Sequence, residues 1–422
     1  MTTEQGEHVL IAAAGSVGDV VPFIGLGVRL RDAGFRVSVA TYELFAGQVR
    51  EQGLEFQPLP GDPQAMDRSE EGLSWQEGGA GLKSTLQFLR MMAEHIRELN
   101  TGLLGIAQQG ADVLLLSGFL SLGGYHIGRA LGIPSAALNL QPVEPTGDYP
   151  PVGLPQLGRW GNSAAWSAVV KLGTGSQAKP IKQLRAELGL PPVTYRTVRS
   201  EQRARRWPLL YGFSPLVSPR ASDWRPGVEV TGYWWPVRRP GRQPPPQLVD
   251  FLRAGPPPVF VGFGSRSFRD SERITGIVTA ALRRAGVRGV LQSGWAGLDI
   301  SHDDVITVGE VPHDWLFPQL AAVVHHAGAG TTAAGLRAGV PAIGVPVIAD
   351  QSFWCSRMEA LGISPGSVPL GKLTPERLAG LIRRATQDET HRRRAAQIGR
   401  TIAAEDGAAP VIRTVRRLLR DA

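Results

Sequence analysis

Val324-His325-His326-Ala327-Gly328-Ala329-Gly330-Thr331-Thr332-Ala333-Ala334-Gly335-Leu336-Arg337-Ala338-Gly339 is the stretch that decides how the second half of this chain folds. It begins at the end of an apolar run, Ala321–His325, with the length and β-branched content of a buried parallel strand. After two glycines the spacing becomes helical over Thr332–Ala338, and Gly339 stops it. A strand, a glycine turn and a helix start in that order make an anion site. The unpaired N–H groups of the first helical turn face the ligand, two hydroxyls stand beside them, and His326 can add a donor. The turn is not a P-loop, because no Gly-Lys-Ser/Thr follows. Neighbouring histidines on a strand point to opposite faces, so the pair is read as one structural and one site residue, without a metal. No Asp-x-Asp pair offers a cation for a diphosphate.

The same grammar repeats on both sides of this stretch. Strands are expected at Val259–Gly262, Gly289–Gln292, Val305–Val308 and Ala342–Val345, with helices at Glu272–Arg284 and Asp350–Leu361. A further helix opens at Thr374-Pro375, a cap followed by Pro at the first helical position. The N-terminal half reads alike, with strands His8–Ala14, Val37–Ala40, Asp112–Leu116 and Ala136–Leu138 and helices Pro22–Ala33 and Tyr125–Leu131. Repeated strand–helix–strand units imply an α/β chain of two doubly wound domains. A Pro/Arg-rich linker runs from Trp235-Pro236 through Pro244-Pro245-Pro246 to Pro256–Pro258. Residues 62–110 (with Trp75, Phe88, Met91, Met92 and His95) and 139–175 (with Trp160 and Trp166) read as irregular insertions, either binding loops or aromatic packing.

Composition narrows the class. The chain has 422 residues, is 42% apolar and contains one cysteine, so a disulfide scaffold is excluded and a reducing, cytoplasmic setting is expected. No apolar run is long enough to span a bilayer, and Met1 to Glu7 is acidic where a signal peptide is basic. The net charge of +8 comes from five lysines and forty arginines. Much of the excess lies between His391 and Ala422, where Val411, Ile412, Val415, Leu418 and Leu419 recur at helical spacing. That pattern reads as an amphipathic helix with a solvated basic face, leaving weak contact with an anionic membrane surface as the other reading. No aromatic–basic interleaving supports nucleic-acid binding.

Three further motifs carry chemistry. Gly15-Ser16-Val17-Gly18-Asp19-Val20-Val21-Pro22 follows the first strand without dinucleotide-type glycine spacing, and Thr41 stands where a ribose-binding acid would end the second strand. Asp19 is therefore either a helix cap or an acid facing the ligand crevice. Gly262-Phe263-Gly264-Ser265 opens the second domain. Asp350-Gln351, within Pro346-Val347-Ile348-Ala349-Asp350-Gln351-Ser352-Phe353-Trp354, suits vicinal hydroxyls of a sugar, with a helix cap as the alternative.

Taken in order, these motifs resemble the family-1 glycosyltransferases of the GT-B fold, nearest the sterol 3-beta-glucosyltransferases and the bacterial transferases that decorate glycopeptides and polyketides. The resemblance spans the chain and is strongest from Val259 to about Leu373. It implies two Rossmann-like domains facing across a cleft: an acceptor domain over 1–235, a linker over 236–257, a nucleotide-sugar domain over 258–400, and a C-terminal helix over 401–422 that packs back on the first domain. His326, Gly328, Gly330 and Thr331 would contact the donor diphosphate, helped by Ser265. Asp350 and Gln351 would bind sugar hydroxyls, and Val311, Pro312 and His313 would hold the uracil ring, largely through backbone. Asp19 matches the catalytic base; Ser16, Met91, Met92 and Trp354 are further candidates for acceptor or donor contact. Glu310 stands where plant members stack a Trp on uracil, and Ala334 where they hold the ribose with Glu. Ser117 or Gly118 stands near the Asp that supports their His base.

The implied activity is inverting, metal-independent transfer of glucose from UDP-glucose, a co-substrate rather than a cofactor, to a hydroxyl of a lipophilic acceptor such as a sterol or polyketide. The alternatives are a deoxysugar transferase using a dTDP-sugar and an epimerase or hydrolase of the same fold. No obligate protein partner is implied.

Overall fold

The computed structural model describes residues 6–68, 82–151, 154, 156–237, 243–264, 271–293, 304–347 and 350–422. They divide into two compact α/β units, one containing described residues 6–66, 82–237 and 406–422, the other 67–68 and the described residues of 243–405.

The first unit is built on seven parallel strands: β1 (His8–Ala12), β2 (Arg36–Tyr42), β3 (Glu55–Leu59), β4 (Val113–Ser117), β5 (Ser135–Asn139), β6 (Leu209–Tyr211) and β7 (Val228–Val230). Their order is β3-β2-β1-β4-β5-β6-β7, so the chain reverses direction across the sheet between β1 and β4. Val9 registers with Val37 on one side and Val113 on the other. β4 and β5 are buried at every position, as strands covered on both faces must be, which explains their continuous apolar sequence.

The second unit has five parallel strands, β8 (Val259–Gly262), β9 (Gly289–Gln292), β10 (Val305–Val308), β11 (Ala322–His325) and β12 (Ala342–Gly344), ordered β10-β9-β8-β11-β12. Its reversal lies between β8 and β11, where Val261 registers with Val324. In such sheets ligands bind beyond the carboxyl ends of the strands at the reversal. Asp19 follows β1, and the His326 turn follows β11.

Several elements differ from the sequence expectation. The first helix runs Val17–Asp32, so Pro22 lies inside it rather than at its start. Proline there has no N–H for the Gly18 carbonyl, so the second turn gives up one intrahelical bond. The helix after β11 begins at Ala329, three residues before the apolar spacing does. The two stretches read as irregular contain long helices, Leu82–Ala107 and Gly158–Glu187, which pack on each other. Strands β3, β6 and β7 are short or poorly apolar, so no apolar run marks them in the sequence.

The C-terminal helix, Ala408–Arg420, buries Ala408, Val411, Thr414 and Val415 in the first unit against the first helix and β4. Trp234 donates its indole N–H to the Gly407 carbonyl at 3.1 Å, and Arg29 pairs with Asp406 at 2.8 Å. Arg413, Arg416, Arg417 and Arg420 remain exposed, so the basic excess there is a solvated face.

The loop after β5 is fixed by a buried charge. Tyr211 at the end of β6 accepts the Val143 and Glu144 amides at 3.1 and 2.9 Å, and Trp224 donates to the Glu144 carbonyl at 3.0 Å. The Glu144 carboxylate accepts from Arg199 and lies 3.6 Å from Arg225 Nε, with Glu144 and Arg225 each 5% exposed. Removing the one anion leaves two cations at least partly out of water. Glu144→Ala is expected to lower stability by about 3–5 kcal/mol, read as a lower urea midpoint; an unchanged midpoint would show that the charge does not fix the loop.

Candidate functional site

In the first unit the turn after β1 is shaped by Gly15, whose φ of +134° and a would-be Cβ 2.6 Å from Asp19 Cβ admit glycine alone. Ser16 is the N-cap and Asp19 the third helical residue, forming a capping box. Asp19 Oδ2 accepts both the Ser16 backbone N–H and its hydroxyl at 2.9 Å. Ser117, at the end of β4, accepts the Ala14 N–H at 3.2 Å and ties the two strand ends together. Asp19 is thus a cap, as one reading held, and is held rigidly at the carboxyl edge of the sheet.

Two residues absent from the sequence-derived site belong to this corner. Tyr42, the last residue of β2, has its hydroxyl 2.9 Å from His95 Nε2, with the rings stacked. Its phenol is pushed far above its ordinary range by burial and then by the Asp19 charge, while the Gly15 amide acts against the shift. Burial also lowers His95. Tyr42 directly follows Thr41, the residue at the position where a ribose-binding acid would end the strand. Met91 and Met92 lie half-buried on the Leu82–Ala107 helix, one turn before His95.

In the second unit the two histidines separate. His325, at the end of β11, is fully buried, and its Nδ1 accepts the Ala327 N–H at 3.0 Å. Burial lowers its pKa to about 3, with His313 adding to the effect. His326 is half-buried, and its ring occupies the space that side chains at two glycines would fill. A Cβ at Gly264 would meet His326 Cε1 at 2.8 Å, and one at Gly328 would meet Nε2 at 2.4 Å. Ala327 turns the chain with φ of +62°, rare outside glycine. Gly328 then caps Ala329–Ala338, placing Gly330 and Thr331 in the first turn. Ser265 lies outside the described residues.

Val311 is 4% exposed and packs in the core with Leu316 and Phe317. His313 stacks on Phe317 at 4.3 Å and meets Phe260 edge-on. Burial lowers His313 to about 4, so it is neutral.

Asp350 is at the N-cap of Gln351–Ala360, yet its side chain makes no capping bond. It accepts the Trp354 indole N–H instead. Gln351 is buried and its Oε1 accepts the Val347 N–H at 2.7 Å, closing the turn after β12. Trp354, a candidate for ligand contact in the sequence, is corrected here. It is 1% exposed, packs on Phe353 and orients Asp350. Among the described residues, no group of three or more His, Cys, Asp or Glu could hold a metal, and no helix is long and apolar enough to cross a membrane.

Residues 9–143 match the glycosyltransferase family 28 N-terminal domain, and 296–418 match the erythromycin biosynthesis protein CIII-like C-terminal domain. The Arabidopsis thaliana sterol 3-beta-glucosyltransferase UGT80A2 is 31% identical over 96% of this chain, which spans 64% of that protein. The Streptomyces fradiae O-mycaminosyltylonolide 6-deoxyallosyltransferase is 33% identical, covering 95% of this chain and 94% of its own. The Candida albicans sterol 3-beta-glucosyltransferase is 32% identical over 97% of this chain, which spans 27% of it. Among solved structures, the glycotransferase of kitacinnamycin superposes with a TM-score of 0.74 at 19% identity, covering 98% of this chain and 99% of its own. The glycosyltransferase VinC in complex with DTDP gives 0.68 at 20%, covering 98% and 100%.

Besides His313, lowered by burial to about 4, two deeply buried histidines set an acid limit on the fold. His126 is 1% exposed, its Nδ1 accepts from Arg185 at 2.9 Å, and burial lowers it to about 4; His325 is lowered to about 3. Both stay neutral when folded but bind a proton when unfolded below about pH 6.5. Stability is therefore complete above that pH and lost as pH falls toward 4, at up to about 1.4 kcal/mol per pH unit for each histidine. The melting temperature should be flat above pH 7 and fall between pH 6.5 and 4.5. His126→Gln should flatten part of that fall, and an equally steep fall in the variant would exclude His126 as a source.

Proposed function

The chain belongs to the glycosyltransferase family that includes the sterol 3-beta-glucosyltransferases and the tylonolide 6-deoxyallosyltransferase, and from that premise we propose its reaction. It moves glucose from UDP-glucose, with inversion and without a metal ion, onto a hydroxyl of a lipophilic acceptor. The donor is assigned to the second unit and deprotonation of the acceptor to Asp19 in the first.

One observation carries the reading: the His326 ring, held against two glycine backbones at the start of a ten-residue helix. Helix-terminal N–H groups at Gly330 and Thr331, with the imidazole beside them, suit a diphosphate that gains charge as it leaves. Such donors supply the stabilisation a cation gives in other phosphate chemistry. Asp350 and Gln351, each oriented by a hydrogen bond, are assigned to the sugar hydroxyls, and the loop at Val311–His313 to the base. In the step itself Asp19 takes the acceptor proton as the oxygen attacks the anomeric carbon. The bond from that carbon to the diphosphate oxygen breaks, and its electron pair leaves with UDP.

A second reading, a dTDP-deoxysugar donor, is favoured by the full-length likeness to the deoxyallosyltransferase. Competition between UDP and dTDP in calorimetry separates the two, because a tenfold preference for dTDP would replace the UDP-glucose assignment. UDP release without any acceptor would indicate a hydrolase.

Asp19→Asn keeps a carbonyl oxygen for the cap but loses the base. It is expected to cut transfer by about 10²–10⁴-fold with UDP affinity unchanged within about twofold. Transfer near the wild-type rate would show that Asp19 is not the base.

A further inference from the structure

Asn139 ends β5 at the carboxyl edge of the first sheet, in register with Tyr211 of β6. It is 5% exposed, and among the described residues its carboxamide has no hydrogen-bond partner. Buried polar groups are nearly always paired, so an orphaned amide at the edge where such sheets bind ligands points to a polar group of the ligand. Asn100, on the Leu82–Ala107 helix, is also without a partner, but both of its amide atoms are sealed from solvent. The Asn139 amide is not sealed in this way, so a ligand can reach it.

The amide is tied to the Asp19 corner through the end of β4. It lies against Gly118, where a Cβ would come within 3.1 Å of Asn139 Oδ1, and the preceding Ser117 accepts the Ala14 N–H at the start of the Asp19 turn. In the order β1-β4-β5, Asn139 stands two strand positions from that turn, about 10 Å across the sheet. Its surroundings are apolar. Phe119 after β4, Val143 after β5 and Leu216 after β6 are 47%, 40% and 37% exposed. A polar group set among exposed apolar residues is the composition of a small-molecule site.

We propose that Asn139 reads a second oxygen function on the acceptor, a hydroxyl or carbonyl about 10 Å from the hydroxyl that reacts. The inference rests on the reading of Asp19 as the base, which marks where the reacting hydroxyl lies. A carboxamide both donates and accepts, so it pairs with either oxygen group, and a skeleton lacking one leaves it unpaired. The acceptor is then an apolar molecule oxygenated at both ends, not one with a single hydroxyl.

Rigid steroids serve as rulers for the test. Androstanediol and epiandrosterone carry an oxygen at each end of the ring system, as two hydroxyls or a hydroxyl and a ketone; androstanol carries one hydroxyl. Binding to the full chain is read by calorimetry and transfer from UDP-glucose by mass spectrometry. The wild type should bind the diol and the hydroxyketone about tenfold more tightly than androstanol. Asn139→Leu should erase that preference without lowering the melting temperature, because the amide it removes bonds nothing in the fold. Equal binding of the three steroids by the wild type, no binding of the diol, or a preference that survives in Asn139→Leu would overturn the proposal, and the wild-type panel decides even if the variant unfolds. Equal transfer to all three would leave the assigned reaction intact and sink this inference. The binding preference without any transfer would uphold the inference and count against the UDP-glucose reaction.

Discussion

The second unit is organised around a steric constraint, the approach of two glycine backbones to one imidazole. The His326 ring lies against Gly264 and Gly328, in the space that a methyl group at either glycine would enter. The chain turns sharply between β11 and its helix, with Ala327 in a left-handed conformation. The turn in turn directs His325 into the core, where its Nδ1 accepts the amide two residues on. Two adjacent residues of the same type thereby acquire opposite roles. One is a buried, neutral packing group that limits acid stability; the other stands at the helix terminus.

The first unit meets an equivalent demand by a different device. A short acidic side chain closes the turn after β1, and the hydrogen bonds that make Asp19 a cap also keep it from swinging away. Under the proposed reaction, capping and proton abstraction are compatible uses of one carboxylate. Preorganisation needs a side chain whose rotamer is already fixed, and a capping box supplies that fixation at the place where the sheet reverses. Tyr42 and His95 border the same corner, and the Asp19 charge acts on the phenol. Ser117 tightens the neighbouring strand end.

Much of this was legible because glycine and parallel strands write their requirements directly into sequence. β9 and β10 run over the residues their apolar runs predict, and Thr374 caps Pro375–Gln387 as its Thr-Pro signature says. Errors arose where tertiary packing replaces local pattern. Pro22 suggested a helix start, yet the Ser16–Asp19 box begins the helix five residues earlier. The Gly158–Glu187 helix has a Gly/Ala/Ser-rich sequence with Pro180 inside it, so no apolar stripe announced it; packing on Leu82–Ala107 sustains it. Tyr42 was hidden because its partner lies 53 residues away.

Trp354 shows how the same limitation affects a site. An aromatic residue four positions after an acid reads equally well as a ligand contact or as packing, because i and i+4 share a helix face. Burial decides between them: at 1% exposure the indole is a support, and its N–H lies on Asp350. Gln351 is supported in the same way by the Val347 amide. Under the proposed reaction, both groups assigned to the sugar are thus oriented before any donor arrives, and less conformational freedom is lost on binding. Selectivity at this end of the site then depends on core packing behind the helix as much as on the two polar side chains.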